Sequence, residues 1–342
     1  MGNVSETKTV VLVSPALADA NNGNWHTTRR WAQCLAGHCA TLLRAQWPEP
    51  PPSAEAEADA LIALHARRSA PSIAAWARQC PGKPLILILT GTDLYRDILA
   101  NTSAQQSLAL ATHLVVLQEA GLQALPAAMR HKARVIYQSA RALKPAVKPV
   151  RHFRALMVGH LREEKDPLTW IRAAARLAPG TASPPVRLLF DHIGDALTPD
   201  LALAVQTAQT SIPGYRWLGG LPQATTRQHI KQAHVLVNSS RMEGGAQVIL
   251  QAVQSGTPVL ASKINGNIGM LGAGYAGYFP VGDDAALAVL LLRCATDAGF
   301  LALLEKQCSE RAHLFDPEAE KRLVLNLMLS ALSAAPPRKP SP

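Results

Sequence analysis

The chain has 342 residues, a length that suits two domains of about 150 residues each. Hydrophobic residues make up 48% of the sequence and charged residues only 17%, which excludes a disordered, solvating chain. The formal net charge of +10 favours anionic partners such as phosphates and nucleotides. Because the sequence has no block of like charges and no alternation of basic with aromatic residues, we expect no nucleic-acid partner.

We expect a cytoplasmic protein with no membrane partner. No apolar run reaches the roughly 18 residues that can span a bilayer. Residues 1–15 lack the basic and apolar regions of a secretory signal. The five cysteines include no CxxC pair, so we expect reduced thiols and no zinc site.

The first half of the chain alternates strand-like with helix-like runs. Its strands are apolar throughout, which is typical of a parallel sheet buried on both faces. The predicted strands are Thr9–Leu17, Asp59–Ala66, Pro84–Asp93, Thr112–Gln118 and Ala133–Ala140. A stretch with two prolines and no periodicity, Arg141–Phe153, then predicts a linker.

The pattern restarts after the linker. The second set of predicted strands is Arg154–Leu161, Val186–Gly194, Tyr215–Leu221, His234–Ser240 and Thr257–Ser262. The last predicted helix follows Pro317, and it can pack back on the first domain. We therefore predict an α/β protein with two doubly wound, Rossmann-like domains facing each other across a cleft. The predicted divisions are 1–150, 151–316, and a helix with a disordered tail at 317–342.

A carboxylate and two glycines precede a helix in the stretch "SSRMEGGAQVILQAVQSGTPVLAS". Gly244 and Gly245 let a ligand approach the backbone amides up to Ala246, where the start of a helix favours an anion. Glu243 cannot bind that anion, but it can accept hydrogen bonds from hydroxyls. Together these features suggest a sugar next to its phosphate. The alternative is that Glu243 caps the helix and the glycines only make the turn.

This stretch resembles the E-x7-E region of family 4 glycosyltransferases, which have the GT-B fold. In that family the first Glu contacts the donor sugar and the second contacts the nucleotide ribose. Glu243 matches the first, whereas Gln251 replaces the second. An amide can still bond to a ribose hydroxyl, but it removes a charge.

The stretch "LMVGHLREEKDP" resembles the other donor element of the same family. Lys165 matches the lysine that neutralises the diphosphate, and His160 stands where an arginine is usual. Arg162, two residues further on, can restore that charge. The alternative is a solvated turn.

Polar and cationic residues follow three of the predicted elements of the first domain. The loop before the first helix resembles the acceptor loop of the same family, and the strand ends suggest a small anionic acceptor. The residues are Asn22, Gly23, Asn24, Thr27 and Thr28 in the loop and helix, His65, Arg67 and Arg68 after one strand, and Thr90, Thr92 and Asp93 after another.

A closer resemblance rests on "GNWHTTRRWA", "ALHARRSAPSI", "LTGTDLYRD", "VGHLREEKDP", "SSRMEGGAQV" and "NGNIGMLG" together. These stretches resemble the selenosugar synthases of selenoneine biosynthesis, and the resemblance runs from Val10 to about Asp284. It implies a UDP-sugar co-substrate, UDP-N-acetylglucosamine or UDP-glucose, and selenophosphate as the acceptor. It implies no required cofactor, and it implies a functional link to a selenophosphate synthetase.

The same resemblance places Trp217 and Leu218 at the base pocket and the glycine-rich stretch Ile264–Phe279 in a loop over the donor sugar. A buried tryptophan in a strand and a long surface loop are the alternatives.

The residues suit this chemistry. Lys165, with His160 or Arg162 and the amides of Gly244–Ala246, would stabilise charge on the leaving UDP. No metal is needed if they suffice, and we find no acidic pair at a strand end to hold one. Selenophosphate is already anionic, so it needs binding and aiming more than deprotonation. Attack opposite the leaving UDP would invert the anomeric centre.

A second step must then remove the phosphoryl group from selenium by water. Asp93, His65 and His26 are the candidates to assist it, and each has a structural alternative as a strand-end or helix-cap residue.

Three other functions remain open. The first is a general hexosyltransferase with a sugar or lipid hydroxyl as acceptor. The second is a UDP-sugar binder without catalysis. The third is a basic nucleic-acid protein, whose sign would be salt-sensitive binding.

Overall fold

A computed structural model describes residues 7–15, 23–48, 58–178 and 186–334. The chain divides into two compact units. The first unit is Met1–Gln138 with Pro317–Pro342, and the second unit is Ser139–Asp316.

The first unit is built on six parallel strands. The strands are β1 (Thr9–Val13), β2 (Ala40–Arg44), β3 (Ala60–Leu64), β4 (Leu85–Leu89), β5 (His113–Val116) and β6 (Ala133–Val135). Their order in the sheet is β2-β1-β3-β4-β5-β6, so the strand order reverses between β1 and β3. The helices are α1 (Gly23–Leu35), α2 (Ala70–Gln79), α3 (Ile98–Ala100), α4 (Thr102–Leu110) and α5 (Gly121–Ala124).

The second unit has a second parallel sheet of six strands. They are β7 (His152–Val158), β8 (Arg187–Ile193), β9 (Tyr215–Trp217), β10 (Val235–Asn238), β11 (Val259–Ser262) and β12 (Tyr278–Phe279). Their order is β12-β11-β10-β7-β8-β9, so the reversal lies between β7 and β10. The helices are α6 (Pro167–Arg176), α7 (Pro199–Ser211), α8 (Gln223–Gln232), α9 (Gln247–Val253), α10 (Asn265–Leu271), α11 (Asp284–Thr296) and α12 (Ala298–Arg311).

The last helix, α13 (Pro317–Ala334), belongs to the first unit. It packs beside α1, and its Val324, Leu327 and Met328 join the apolar cluster on one face of the first sheet. Glu320 on α13 is buried, and Arg30 on α1 donates to it at 2.7 Å. A separate apolar cluster covers the opposite face of the sheet.

The division between the units falls at 138/139 instead of the predicted 150/151. The segment predicted as a linker is bonded to the second unit: Leu143 N donates to Gln254 O at 2.7 Å, and Arg227 donates to Arg141 O at 2.6 Å. An extended segment without periodicity can therefore still be fixed by its backbone groups.

Other differences concern short elements. The predicted strand Ala133–Ala140 ends at Val135, and β2 and β12 were not predicted. The stretch predicted as a glycine-rich loop contains α10. Among the described residues no single helix could span a membrane by length and apolarity; one sharply bent pair, Asp284–Thr296 with Ala298–Ala334, passes that test when taken together.

Candidate functional site

The two predicted donor motifs meet in the second unit where the strand order reverses. Lys165 follows β7 and Glu243 follows β10, and these strands are neighbours in the sheet. Lys165 Nζ lies 2.5 Å from Glu243 Oε1. Ligands of doubly wound sheets bind beyond the carboxyl ends of the strands at such a reversal. The position therefore suits a binding site.

The loop that carries Lys165 is held by its backbone. Asp166 has a left-handed conformation (φ 47°, ψ 58°), which turns the chain into α6. Ser239 Oγ lies 3.0 Å from both the Lys165 and the Asp166 carbonyl oxygens, and Arg241 N donates to Glu164 O at 2.9 Å. The two motifs are thus tied together, although 78 residues separate Lys165 from Glu243.

Glu243 is a buried carboxylate with several donors around it. Ser240 Oγ donates to Oε1 at 2.6 Å, and Asn238 Nδ2 lies 3.5 Å from the same oxygen. Burial raises the pKa of Glu243, but the Lys165 charge and hydrogen bond, the Ser240 hydroxyl and the Arg162 charge outweigh it, and the net pKa is lowered. Glu243 is therefore an anion that can accept hydrogen bonds.

The turn after Glu243 is crowded. A Cβ at Gly266 would lie 2.0 Å from Glu243 O, so only glycine allows this close approach. Gly244 and Gly245 form the turn before α9, as predicted for the glycines. Ala246 N donates to Met270 Sδ at 3.0 Å, a weak acceptor, and Gln251 is buried on α9.

The remaining predicted donor residues lie at the ends of β7 and β9, and two of them bond to backbone groups that follow β8. His160 Nδ1 accepts from Asp195 N at 3.3 Å, and the His160 ring is only partly exposed. Trp217 Nε1 donates to Gly194 O at 2.8 Å, and Leu218 N donates to His192 O at 2.8 Å. The backbone N–H of Leu218 is therefore already used within the protein.

Two of these strand ends lie very close together. A Cβ at Gly194 would lie 1.9 Å from Gly159 O. Gly194 also has φ of 147°, a conformation that other residues rarely adopt. Glycine at this position allows the loops after β7 and β8, and with them His160 and Asp195, to approach each other.

The strand-end residues of the first unit form a hydrogen-bonded cluster. Asp93 is fully buried, and its carboxylate accepts from Ala66 N, Thr90 N and Gly91 N, each at 2.9 Å. His65 is buried in a left-handed conformation (φ 73°), and its Nε2 lies 3.0 Å from Thr92 Oγ1.

The side chains of His65 and Asp93 both have structural roles in this cluster. Burial lowers the pKa of His65, and so does the Arg68 charge, while the charges of Asp93 and Asp97 raise it. The carboxylate of Asp93 anchors the loops after β3 and β4. This geometry favours the structural alternative for Asp93 over a direct part in removing a phosphoryl group.

The threonines of α1 are also used within the protein. Thr27 Oγ1 donates to Gly23 O at 2.8 Å and Thr28 Oγ1 donates to Asn24 O at 2.9 Å, and both threonines are buried. These bonds stabilise the start of α1 and use the hydroxyl protons that an anionic acceptor substrate would need. Asn22 lies outside the described residues.

Both predicted acceptor arginines reach the surface, as do Gly23 and, in part, Asn24, Thr90 and Thr92. Arg67 is partly exposed and donates to Asp97 Oδ2 at 2.8 Å, whereas Arg68 is exposed. The predictions missed Asp97, which pairs with Arg67, and Asn238 and Ser240, which contact Glu243. They also missed Asp166, which follows Lys165 in the left-handed conformation. Ser240 lies three residues before Glu243 on the same turn, and that spacing was the available signal.

No group of three or more His, Cys, Asp or Glu residues lies close enough to hold a metal ion within the described part of the chain. The five cysteines are free and buried.

The fold matches that of known GT-B glycosyltransferases. Anabaena HepE, solved in complex with UDP-glucose, superimposes with a TM-score of 0.76 at 16% identity, covering 95% of this chain and 100% of HepE. Sucrose-phosphate synthase of Thermosynechococcus elongatus superimposes with a TM-score of 0.73 at 18% identity, covering 96% and 100%. The predicted GT-B fold is confirmed.

The second unit also resembles known glycosyltransferases in sequence. Residues 152–297 match the family described as "Glycosyl transferases group 1". The "Glycosyltransferase 1 domain-containing protein 1" of Xenopus tropicalis is 34% identical over 116 residues, which are 34% of this chain and 32% of that protein. The match therefore spans about a third of this relative's length. The region that matches this family includes both Lys165 and Glu243.

Proposed function

We propose that the protein is a glycosyltransferase that uses a UDP-sugar as donor. The observation that carries the proposal is the pairing of Lys165 with Glu243 at the strand-order reversal, within the region that matches the group 1 glycosyltransferase family. A cation beside a carboxylate suits a ligand that carries a diphosphate beside a hydroxyl-rich sugar. That HepE has been solved with UDP-glucose supports UDP as the nucleotide.

In this proposal Lys165 stabilises the charge that develops on the leaving UDP, and Glu243 accepts hydrogen bonds from the sugar. His160 and Arg162 lie on the same loop after β7, and the Arg162 guanidinium supplies further positive charge. Gln251 takes the ribose, with a neutral amide in place of a carboxylate.

We propose selenophosphate as the acceptor. The support is the resemblance to selenosugar synthases, together with the exposed Arg68 and partly exposed Arg67 after β3 of the first unit. Selenium attacks the anomeric carbon as the bond to UDP breaks. Water then cleaves the selenium–phosphorus bond, which yields the 1-selenosugar, UDP and phosphate. The selenophosphate would come from a selenophosphate synthetase.

The candidate general bases of the first unit favour selenophosphate over a hydroxyl group as the acceptor substrate. A hydroxyl acceptor needs a general base. Of the candidate bases there, His65 and Asp93 are buried and hydrogen-bonded, and only His26 is partly exposed. An acceptor that is already anionic avoids this requirement.

The second candidate is a hexosyltransferase that acts on a sugar or lipid hydroxyl. Its support is the likeness of the whole fold to sucrose-phosphate synthase and to HepE. A UDP-sugar binder without turnover is the third candidate.

One product assay separates these candidates. The purified protein is incubated with UDP-N-acetylglucosamine or UDP-glucose and freshly prepared selenophosphate, and products are measured by mass spectrometry. We expect a hexose or hexosamine with the isotope pattern of selenium, together with UDP, and neither without enzyme. UDP released only with a sugar acceptor would favour the hexosyltransferase. Binding of UDP-sugar without release of UDP under any condition would favour the binder.

A further inference from the structure

The two oxygens of the Glu243 carboxylate have different surroundings. Lys165 Nζ, Ser240 Oγ and Asn238 Nδ2 all approach Oε1, at 2.5, 2.6 and 3.5 Å. Among the described residues none donates to Oε2. Because Glu243 is buried, this asymmetry is a property of its site and not of a freely rotating surface side chain.

Hydrogen bonds hold both backbone polar groups of Ser240 in place. Its backbone N donates to Asn238 Oδ1 at 3.2 Å, and its carbonyl accepts from Ser262 Oγ. Asn267 Nδ2 donates to Ser262 O at 2.9 Å and to Ser262 Oγ at 3.1 Å. These residues are almost completely buried, so the Ser240 hydroxyl has little freedom to turn away from Glu243.

A single bond to Lys165 would not fix the carboxylate. A lysine ammonium is a compact charge on a flexible stem, and it can pair with either carboxylate oxygen. The Ser240 hydroxyl donates from a rigid turn, and Asn238 reinforces it from the end of β10. A second bond to the same oxygen therefore removes the rotation that would exchange Oε1 with Oε2.

We propose that Ser240, assisted by Asn238, positions Glu243 so that Oε2 is the oxygen that accepts a hydroxyl of the donor sugar. This inference rests on the proposed function, because it takes the sugar of a UDP-sugar as the ligand of Glu243. Ser240 is a positioning residue, since it acts on the sugar only through Glu243.

The test compares Ser240→Ala with a matched control, Thr257→Val. Thr257 is also completely buried in the second unit, and its Oγ1 donates to Ile230 O at 2.9 Å, so the control deletes a buried hydroxyl that does not touch Glu243. Calorimetry measures the Kd of UDP and the Kd of UDP-glucose for each protein. The ratio of the two isolates the part of the affinity that the sugar adds.

We expect Ser240→Ala to keep the Kd of UDP within about twofold while the sugar-dependent gain falls about tenfold, as for one hydrogen bond to a charged group. The KM for UDP-glucose should rise more than kcat falls. Thr257→Val should change neither quantity. If Ser240→Ala fails to fold, Ser240→Cys keeps a weaker donor of similar size and should give a smaller loss in the same direction.

The outcomes separate this inference from the proposed function. The wild-type protein is also measured with UDP-N-acetylglucosamine, and the sugar nucleotide that binds more tightly is used for the variants. A wild-type protein that binds neither sugar nucleotide more tightly than UDP would overturn the donor assignment, and the role of Ser240 with it. A wild-type gain that Ser240→Ala retains would overturn only the positioning role. Equal losses for UDP and UDP-glucose, or equal losses in Thr257→Val, would also overturn it, because they would indicate general damage to the unit.

Discussion

Lys165 and Glu243 form an ion pair of 2.5 Å between the two motifs assigned to the two ends of one donor molecule. The cation that we assign to the diphosphate is therefore shared with the carboxylate that we assign to the sugar. The pair keeps the buried charge of Glu243 and the partly buried charge of Lys165 compensated before a ligand arrives. A diphosphate has to draw the lysine partly away from Glu243, which couples the two ends of the donor.

Glu243→Gln should have opposite effects on the binding of UDP and on the turnover of the UDP-sugar. Lys165 loses its counter-charge and becomes fully available to phosphate, so we expect UDP to bind several-fold more tightly. Turnover of the UDP-sugar should fall about 10- to 100-fold, because a neutral amide accepts the sugar hydroxyl less strongly. Calorimetry with UDP and a UDP-release assay check this. A weaker affinity for UDP would contradict the sharing of Lys165.

Lys165→Ala should remove most of the activity because the diphosphate charge is left uncompensated. It also leaves Glu243 as an unpaired buried charge, which should lower the free energy of unfolding by about 3–5 kcal/mol. Urea denaturation measures this loss, and UDP release measures turnover. The control is Lys306→Ala, an exposed lysine that lies 4.0 Å from Glu310. Near-normal turnover of Lys165→Ala would refute the donor-site assignment.

Gln251→Glu should keep or improve the affinity for UDP-sugar, because a carboxylate accepts ribose hydroxyls better than an amide does. The measurement is the Kd of UDP beside that of 2′,3′-dideoxy-UDP. We expect the preference for the hydroxylated nucleotide to increase in the variant. A large loss of affinity for UDP would mean that Gln251 has another role on α9.

Arg68→Ala should raise the KM for selenophosphate at least several-fold while the KM for UDP-sugar stays unchanged. Arg68 is a better single target than Arg67, since Arg67 also supports the buried Asp97. The double variant with Arg67→Ala should extend the effect. Equal changes in the two KM values would argue against an acceptor site after β3.

His192 should make the stability depend on pH. Burial lowers its pKa from about 6.5 to about 3, so below pH 6.5 the unfolded chain binds a proton that the folded chain does not. The free energy of unfolding should then fall by about 1.4 kcal/mol per pH unit as the pH drops from 6.5 towards 3. His192→Leu should flatten this slope in urea denaturation between pH 7.5 and 5, whereas the exposed His38→Gln should not. A slope unchanged in His192→Leu would show that other groups cause it.

The proximity of Lys165 and Glu243 agrees with the sequence pattern because each residue lies in the loop after an apolar strand, whereas the donor role of Lys165 was inferred from the resemblance to family 4 glycosyltransferases. Lys165 and Glu243 lie just beyond β7 and β10, and a doubly wound sheet brings such strand ends together. In the first unit the same reasoning did not foresee the structural bonds of a strand-end residue. Asp93 also follows a strand, but its carboxylate is bonded to Ala66 N, 27 residues earlier, and no local pattern shows such a tertiary partner.

The bonds of two buried hydroxyls were not foreseen for a related reason. Thr27 and Thr28 look like anion ligands at a helix start, but their hydroxyls donate to the carbonyls four residues before them.

Two edge strands, β2 and β12, were not predicted from the sequence. Strands were recognised by runs of apolar residues, and such runs occur where a strand is buried on both faces. β2 is only partly buried along its length, and β12 has two residues.

The position of α13 has a consequence for how the protein is made. Residues 139–316 form a continuous unit, so on a ribosome this part can fold as soon as it has emerged. The first unit cannot be completed then, because Trp31 and Leu35 lack the cover that Val324 and Met328 provide. Part of the apolar face of the N-terminal sheet therefore stays open until α13 has been synthesised. Chains that stop before Pro317 should be substrates for chaperones and proteases, even though they contain every residue assigned to the donor.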